Sequence, residues 1–423
     1  MNQPRAVVIG AGIGGLTAAV ALHLRGWAVT VLERAAALEP VGAGIALAPN
    51  AQRALDVIGV GDAVRAMSAW QGEGGLRTPS GRWLSRTTPD AAAERFGGPV
   101  VVAHRADLVG LLAALLPAGA VRTGTPAEVA GPGGDGRPAT ARATGGGGRS
   151  GRRGGEGVRE YTADLVVAAD GIHSAARQVL FPGHPAPRYA GFTAWRFVVP
   201  APERPFSPHE TWGPGSVWGT VPLHDGRVYA YATATVPAGE RSPDGERAEL
   251  LRRFGDWHHP VPDLLAVVRP GGVLRGDVYR AATAPPAYHQ GRTALLGDAA
   301  HAMTPNLGQG GCQAIEDAVV LAHHAGPGTA GAAGLERRLA AYTRDRLPRT
   351  MEVVRRSGRI GRLTTWSSPP ARALRTAAFT ALDRLGPRLA LRSLDGIADW
   401  EPPCAAYAAG PRGTRGGGGA AAP

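Results

Sequence analysis

The 423-residue chain contains no lysine, so all 46 of its basic residues are arginine. With abundant Ala, Gly and Pro, that bias reads as the codon habit of a GC-rich genome, not as a binding requirement. Cysteine is nearly absent. Cys312 and Cys404 cannot build a disulfide framework or a cysteine-rich metal site, and a reducing, cytoplasmic compartment is expected. No uninterrupted apolar run reaches the ~20 residues of a spanning helix. The most apolar stretch, residues 6–24, is broken by glycines and lacks a small-residue cleavage site before a polar start, unlike a signal peptide. No heptad persists, and the 62 Gly and 36 Pro are too irregularly spaced for collagen.

What is present suits a globular enzyme. Hydrophobic residues make up 44% and charged residues 19%, enough to build a sizeable core. The length fits two cooperating domains or one large α/β domain carrying an inserted sheet. The net charge of +12 sits mostly in one place: between Glu336 and Arg392 there are 14 arginines against four acidic residues. No nucleic-acid-binding module accompanies them, so nucleic acid is not expected as a partner. The segment reads as a solvated helical face or as a docking surface for an acidic carrier or a membrane surface.

Residues 6–9 form a buried-strand run, 10–15 a turn, 16–25 a helix and 28–32 a second strand ending at Glu33, which together make one βαβ unit. Helices are expected at 105–116 and 313–324, and buried strands at 163–169 and 293–296. From Arg188 to Tyr279, short alternating segments rich in Trp and Tyr suggest an antiparallel sheet. The organisation that follows is a first α/β segment at 1–75, strands of a second domain at 76–104, a second α/β segment at 105–187 and an inserted sheet at 188–284. A third α/β segment at 285–330, C-terminal helices at 331–400 and a disordered tail at 401–423 complete it. Residues 131–157 hold 12 glycines and read as a flexible surface loop without a core role.

Gly10, Gly12 and Gly15 match the dinucleotide fingerprint. The first permits the tight turn, the second lets backbone approach a pyrophosphate, and the third lets helix pack on strand. The N-terminus of the helix that follows, with Ile13 and Gly14 in the turn before it, offers free N–H groups to phosphates. Glu33, 18 residues beyond Gly15, can accept from ribose hydroxyls. Two later strands end in acids, one at Asp170-Gly171 and one at Gly297-Asp298. A strand-terminal carboxylate suits a polyol such as a ribityl chain. Pro305 through Gly308, Gly310 and Gly311 then precede a helix whose amides can face a flavin's pyrimidine edge.

These three motifs, in this order, resemble the single-component FAD-dependent aromatic hydroxylases, the group A flavoprotein monooxygenases of para-hydroxybenzoate hydroxylase fold. The segment 41–51 is similar to the salicylate and 3-hydroxybenzoate hydroxylase subgroup. The resemblance spans Val7 to about Arg346 and implies a Rossmann-like α/β FAD-binding domain, an inserted mostly antiparallel substrate sheet and a C-terminal helical region. It implies that Glu33 holds the adenosine ribose and Asp298 the ribityl chain, with Arg34 and Arg105 near the ADP portion. Asp170-Gly171 would serve both FAD and NADH or NADPH, Gly44 and Ile45 would pass beside the isoalloxazine, and Pro305 would stand near its reactive edge. Arg196, Trp212, Trp218 and Tyr231 are candidates for the substrate side. Arg196 would hold a carboxylate or phenolate, or else make a surface ion pair; Tyr229 and Tyr231 share a strand face and could be core. His301 reads as a packed histidine.

The activity implied is hydroxylation of a small aromatic or polyketide-like substrate by O2 through a flavin C4a-hydroperoxide. A flavin halogenase is disfavoured because its Trp-x-Trp-x-Ile-Pro segment and lysine are missing. An epoxidase, a saturating reductase or a non-catalytic flavin-binding protein remain alternatives.

Overall fold

The most apolar short runs become the middle of one sheet. The computed structural model describes residues 3–38, 43–70, 72–134, 136–144, 158–326, 332–384, 391–404 and 407. In it, strands Arg5–Ile9 and Leu165–Ala168 lie side by side in parallel. Ala28–Leu32 and Val121–Arg122 extend the sheet on one side. Thr293–Leu295 and the antiparallel His289–Gln290 extend it on the other. Central parallel strands are covered on both faces, so Leu165–Ala168 is buried at every position and shows no alternation. Helix Ile13–Leu24 is apolar nearly all round because it is wedged between this sheet and helix Gly310–Ala325.

The second sheet has seven strands in the spatial order Leu274–Arg280, Arg188–Pro200, Arg227–Ala234, Ser216–Pro222, His209–Trp212, Gly74–Arg77 and Trp83–Thr87. The expected antiparallel pattern holds except where His209–Trp212 runs parallel to Gly74–Arg77. Alternation gives the sheet two different faces. On one, Trp195, Phe197, Trp218, Val228 and Ala230 form a core with Leu250, Phe254, Leu264 and Leu265. Those last four come from helices Glu246–Phe254 and Val261–Val267, which the reading of 188–284 as short strands did not anticipate. The other face carries Arg196, Tyr229 and Tyr231.

Three expectations need correction. Within 76–104 only the first two strands join the seven-stranded sheet; Val101–His104 pairs instead with Gly44–Leu47 in a separate two-stranded ladder. Its Val101 and Ala103 are buried in the core around the parallel sheet, which draws the strand there.

The supposed flexible loop at 131–157 contains a buried strand. Ala139–Ala143 is the middle of a three-stranded antiparallel sheet between Ala127–Gly131 and Arg159–Ala163. Ala139, Ala141 and Ala143 point inward, while Thr140 and Arg142 face outward. An inward face built only from alanine was hidden by the surrounding glycines. Residues 145–157 lie outside the described residues.

The supposed tail at 401–423 begins as packed structure. Tyr407 is buried, its hydroxyl donates to the Val319 carbonyl, and its backbone N–H donates to the Val57 carbonyl at 3.1 Å. Residues 408–423 lie outside the described residues. The C-terminal helices are Ala332–Thr364 and Pro369–Arg384, the second opening at Pro369. Among the described residues no helix is long and apolar enough to cross a membrane.

Candidate active site

The glycines of the first turn divide into two kinds. A Cβ on Gly10 would lie 2.4 Å from the Ala169 carbonyl oxygen, and one on Gly15 would lie 2.0 Å from that of Gly10. One on Gly14 would meet Leu296 Cδ2 at 2.7 Å. These three glycines are demanded by the protein's own packing, Gly10 also by its φ of 103°. Gly12 is different. The nearest atom to its missing Cβ is Arg105 Nη2 at 4.0 Å, so the turn is open there. Helix Ile13–Leu24 starts immediately behind it without a side-chain cap, which leaves its first amides free for an anion.

Glu33 stands half-buried at the end of its strand, and both carboxylate oxygens are engaged. Oε2 accepts from Ala11 N–H at 2.7 Å and Oε1 from Ala35 N–H at 2.8 Å. The acid therefore braces the glycine turn, and each oxygen keeps lone-pair capacity for a hydroxyl donor. Arg34 is exposed beside it. Arg105 opens helix Arg105–Ala114; its backbone donates to Ala43 O at 2.9 Å, and its guanidinium is one of the charges acting on Asp298. The Gly12 turn and Ala43 thus meet at Arg105.

Asp298 begins the short helix Asp298–His301 and is exposed, while Ala299, Ala300 and His301 behind it are buried. Gly297, at φ 61°, turns the chain into that helix and donates its N–H to Asp317 Oδ2 at 3.0 Å. Pro305 lies exposed at the start of a 3-10 turn that ends at Gly308, itself left-handed at φ 63°. Helix Gly310–Ala325 follows with no side-chain cap. A Cβ on Gly311 would meet Ile45 Cδ1 at 2.6 Å, so Gly44 and Ile45 run directly alongside this helix start.

At the second acidic strand end, Asp170 Oδ2 accepts from Ala176 N–H at 3.1 Å, whereas Oδ1 is buried and has no protein partner. Gly171 takes φ 84°. Buried Arg177 donates to Ala299 O at 2.7 Å and Ile172 O at 2.8 Å, tying this turn to the Asp298 helix.

Sequence reasoning missed the polar network beneath the site. Fully buried Arg346 donates to Asp317 Oδ1 at 2.7 Å, Glu316 Oε2 at 2.5 Å and Gln313 Oε1 at 2.9 Å. Glu316 also accepts from Arg349 and from Asn50. His301 Nε2 lies 2.6 Å from Asp317 Oδ2, so this histidine is packed as expected. Burial alone would raise the Asp317 carboxyl, but His301 and Arg346 more than reverse that and hold it at about 2. The acids Glu316 and Asp317 in the otherwise apolar helix Gly310–Ala325 were the available signal. The same network shows that some of the C-terminal arginine surplus is inward-facing: Arg346 and Arg349 serve Glu316, and Arg375 donates to the Leu363 and Gly213 carbonyls.

On the seven-stranded sheet, the face bearing Tyr229 meets strand Gly44–Leu47: a Cβ on Gly44 would lie 2.3 Å from the Tyr229 ring. Arg196 stands beside the Tyr229 hydroxyl and has no carboxylate partner among the described residues, contrary to a surface ion pair. Tyr231 is half-buried next to Tyr229, their centroids 5.6 Å apart. Trp212 is on this same face, edge-on to Phe379 at 5.0 Å and beside a crevice of about 690 Å³ that Arg82 and Arg372 also line. Trp218 does not belong with them. It points to the opposite face, fully buried against Phe197 and Phe254, because it is one residue out of phase with Gly219. Glu210, which sequence reading overlooked, takes hydrogen bonds from Tyr231 and Trp212.

Comparison with known proteins agrees with this geometry. The family described as FAD binding domain matches residues 4–357. An aurachin C monooxygenase/isomerase from Stigmatella aurantiaca is 39% identical over 364 residues, covering 86% of this chain and 90% of that protein. A 3-amino-4-hydroxybenzoate 2-monooxygenase from Streptomyces cremeus is 36% identical over 373 residues, covering 84% and 86%. The crystal structure of Klebsiella pneumoniae HpxO complexed with FAD and uric acid superposes with a TM-score of 0.81 at 28% identity, covering 94% of this chain and 96% of that one.

Proposed function

Because the chain belongs to the FAD-dependent aromatic hydroxylases, flavoprotein monooxygenases of para-hydroxybenzoate hydroxylase fold, we propose that it uses NADH or NADPH and O2 to hydroxylate a small aromatic or similarly electron-rich molecule. FAD is its cofactor. When bound, FAD would supply the redox chemistry, accepting reducing equivalents from NAD(P)H and activating O2 for transfer of one oxygen atom. The protein's role is to bind, orient and exclude water.

The observation that carries the reading is the open turn at Gly12 with the Arg105 guanidinium beside it and the uncapped helix Ile13–Leu24 behind it. This set fits an adenine dinucleotide. The uncapped Ile13–Leu24 amides and Arg105 would take the pyrophosphate, with exposed Arg34 nearby, and Glu33 would take the adenosine ribose. Asp298 would accept from the ribityl chain, and Asp170 Oδ1, buried without a protein partner, can accept one further donor. The free amides at Gly310 and Gly311 would face the flavin's pyrimidine edge and stabilise charge that accumulates on reduction. Gly44, Ile45, Gly308 and Pro305 would border the ring. Arg196 and Tyr231 on the facing sheet would hold the substrate, with Trp212 closing one side.

Purified protein should carry FAD and consume NAD(P)H and O2 faster when an aromatic substrate is added. The product should gain 16 mass units, with the new oxygen derived from labelled O2. A product that gains two hydrogens and no oxygen would instead establish a reductase.

A further inference from the structure

A crevice of about 690 Å³ lies between helix Pro369–Arg384 and the turn that joins strands Gly74–Arg77 and Trp83–Thr87. Ala373, Ala377 and Ala381 recur along one face of that helix, and their small side chains keep the floor of the crevice low. Trp212 closes one side. The volume is that of a pocket for a small organic molecule, far more than a bare ion fills.

Three arginines line this crevice, Arg82 from the turn and Arg372 and Arg375 from the helix, and among the described residues no carboxylate does. Arg82 is exposed and Arg372 half-buried, and neither has an ion-pair partner among the described residues. Arg375 is only 4% exposed. It donates to the Leu363 carbonyl at 2.9 Å and to the Gly213 carbonyl at 2.9 Å, while its Nε has no protein partner. Carbonyls satisfy N–H groups without neutralising a cation, and the Trp212 ring, 5.5 Å from the guanidinium carbon, offsets the charge only in part. Burial disfavours the charged form of Arg375, the neighbouring charge of Arg372 disfavours it further, and no carboxylate opposes either effect. A role in stapling the helix to the sheet accounts for Arg375. It does not account for Arg82 and Arg372, which reach the same space from opposite walls and bond no acid.

We propose, independently of the hydroxylation chemistry, that this crevice binds a small phosphate ester with an apolar body. Arg82 and Arg372 meet the phosphate from the two walls, the apolar part lies on Trp212 and the alanine floor, and buried Arg375 adds positive potential beneath. Guanidinium groups present paired N–H donors that match phosphate oxygens, and a doubly charged group balances two arginines at once. The apolar floor distinguishes an ester from free phosphate, because only the ester removes that surface from water. Trp212 also borders the face proposed for substrate, its indole N–H donating to Glu210. The ester is therefore either the tail of the substrate or a separate ligand beside it, and the two differ in whether they compete with substrate.

The probes are 1-naphthyl phosphate, 1-naphthol and inorganic phosphate, each titrated by calorimetry into the FAD-loaded protein at physiological salt. Loading with FAD keeps the probes out of the cofactor's own phosphate site. The ester should bind at least tenfold more tightly than either of its halves. Arg82→Gln combined with Arg372→Gln removes no ion pair within the protein, and it should weaken the ester at least tenfold while FAD content stays the same. Ala377→Glu keeps every arginine and supplies a carboxylate from the crevice floor. It should weaken the ester by a similar factor, and it stands in should the double variant not fold. Ester binding no tighter than inorganic phosphate or 1-naphthol, or ester affinity unchanged in these variants, would overturn the proposal. Competition between the ester and a substrate that stimulates NAD(P)H oxidation identifies the ester as the substrate's tail. Binding without competition identifies a separate ligand, and the site stands in both cases. A protein that binds the ester as described but never oxidises NAD(P)H defeats the monooxygenase reading and leaves the site in place.

Discussion

Replacing Arg346 with methionine removes the cation from the buried network while keeping much of the side-chain length. In the native protein Arg346 bonds Asp317, Glu316 and Gln313 and is 1% exposed. Glu316 would keep Arg349 and Asn50, but Asp317 would keep only His301 and the Gly297 amide. Breaking one side of such a pair costs about 3–5 kcal/mol, because a charge stays buried without compensation. With an unfolding entropy of ~2.1 cal/mol/K per residue over this chain, that is a fall of about 3–6 °C in midpoint.

The pH dependence carries the mechanism. In wild type the Asp317 carboxyl is depressed to about 2, so its stabilising contribution is complete above about pH 4 and lost as pH falls towards 2. In the variant, burial opposed by His301 without Arg346 leaves the carboxyl higher than in wild type. The stabilisation that Arg346 adds is full at neutral pH and is lost as acid protonates the group. The gap between the two proteins should therefore narrow as pH falls from 5 towards 3 in thermal unfolding of FAD-stripped protein followed by tryptophan fluorescence. A midpoint difference under about 1 °C at pH 8, or a gap that widens on acidification, refutes the reasoning.

Gly12→Ala should fold normally yet lose FAD affinity, since its Cβ has free space in the protein but not beside a pyrophosphate; Gly15→Ala, 2.0 Å from a carbonyl, should fail at folding. Soluble expression and flavin titration separate the two. Asp298→Ala should weaken FAD binding 10- to 100-fold, the loss of one hydrogen bond to a charged group worth roughly 1.5–3 kcal/mol, with little change in the stability of flavin-free protein. Excising 131–157 should give insoluble protein, because it deletes the middle strand Ala139–Ala143, and a soluble, flavin-loaded product would contradict the observed pairing.

The turn, helix start and strand ends proposed to hold the cofactor were legible as local structure because they depend on short-range spacing. A tight turn, a helix N-terminus and an acid at a strand end are local objects, and Gly10 to Gly15, Glu33, Asp298 and the 308–311 glycines all lie where their spacing implies. Substrate-side features were less so. Strand alternation says that Trp218 and Gly219 face opposite ways, but not which face meets the flavin side. That was settled by helices Glu246–Phe254 and Val261–Val267, which cover the Trp218 face, and by Gly44, which packs on Tyr229.

By itself the sequence determined the βαβ nucleotide turn, the order of the three motifs and the helical C-terminal region, since each follows from contacts within about one turn or one strand. Only the tertiary structure decided that an alanine-faced segment would be a central strand, that Tyr407 would be anchored in the core, and that Arg346 would neutralise two acids instead of facing solvent. The same holds for Glu210, whose hydrogen bond from Tyr231 exists only because Gly219 lets a tyrosine from the neighbouring strand lie across to reach it. Burial and pairing of charge are properties of what arrives from elsewhere in the chain. An arginine's own neighbours in sequence carry no record of the carboxylate it will meet.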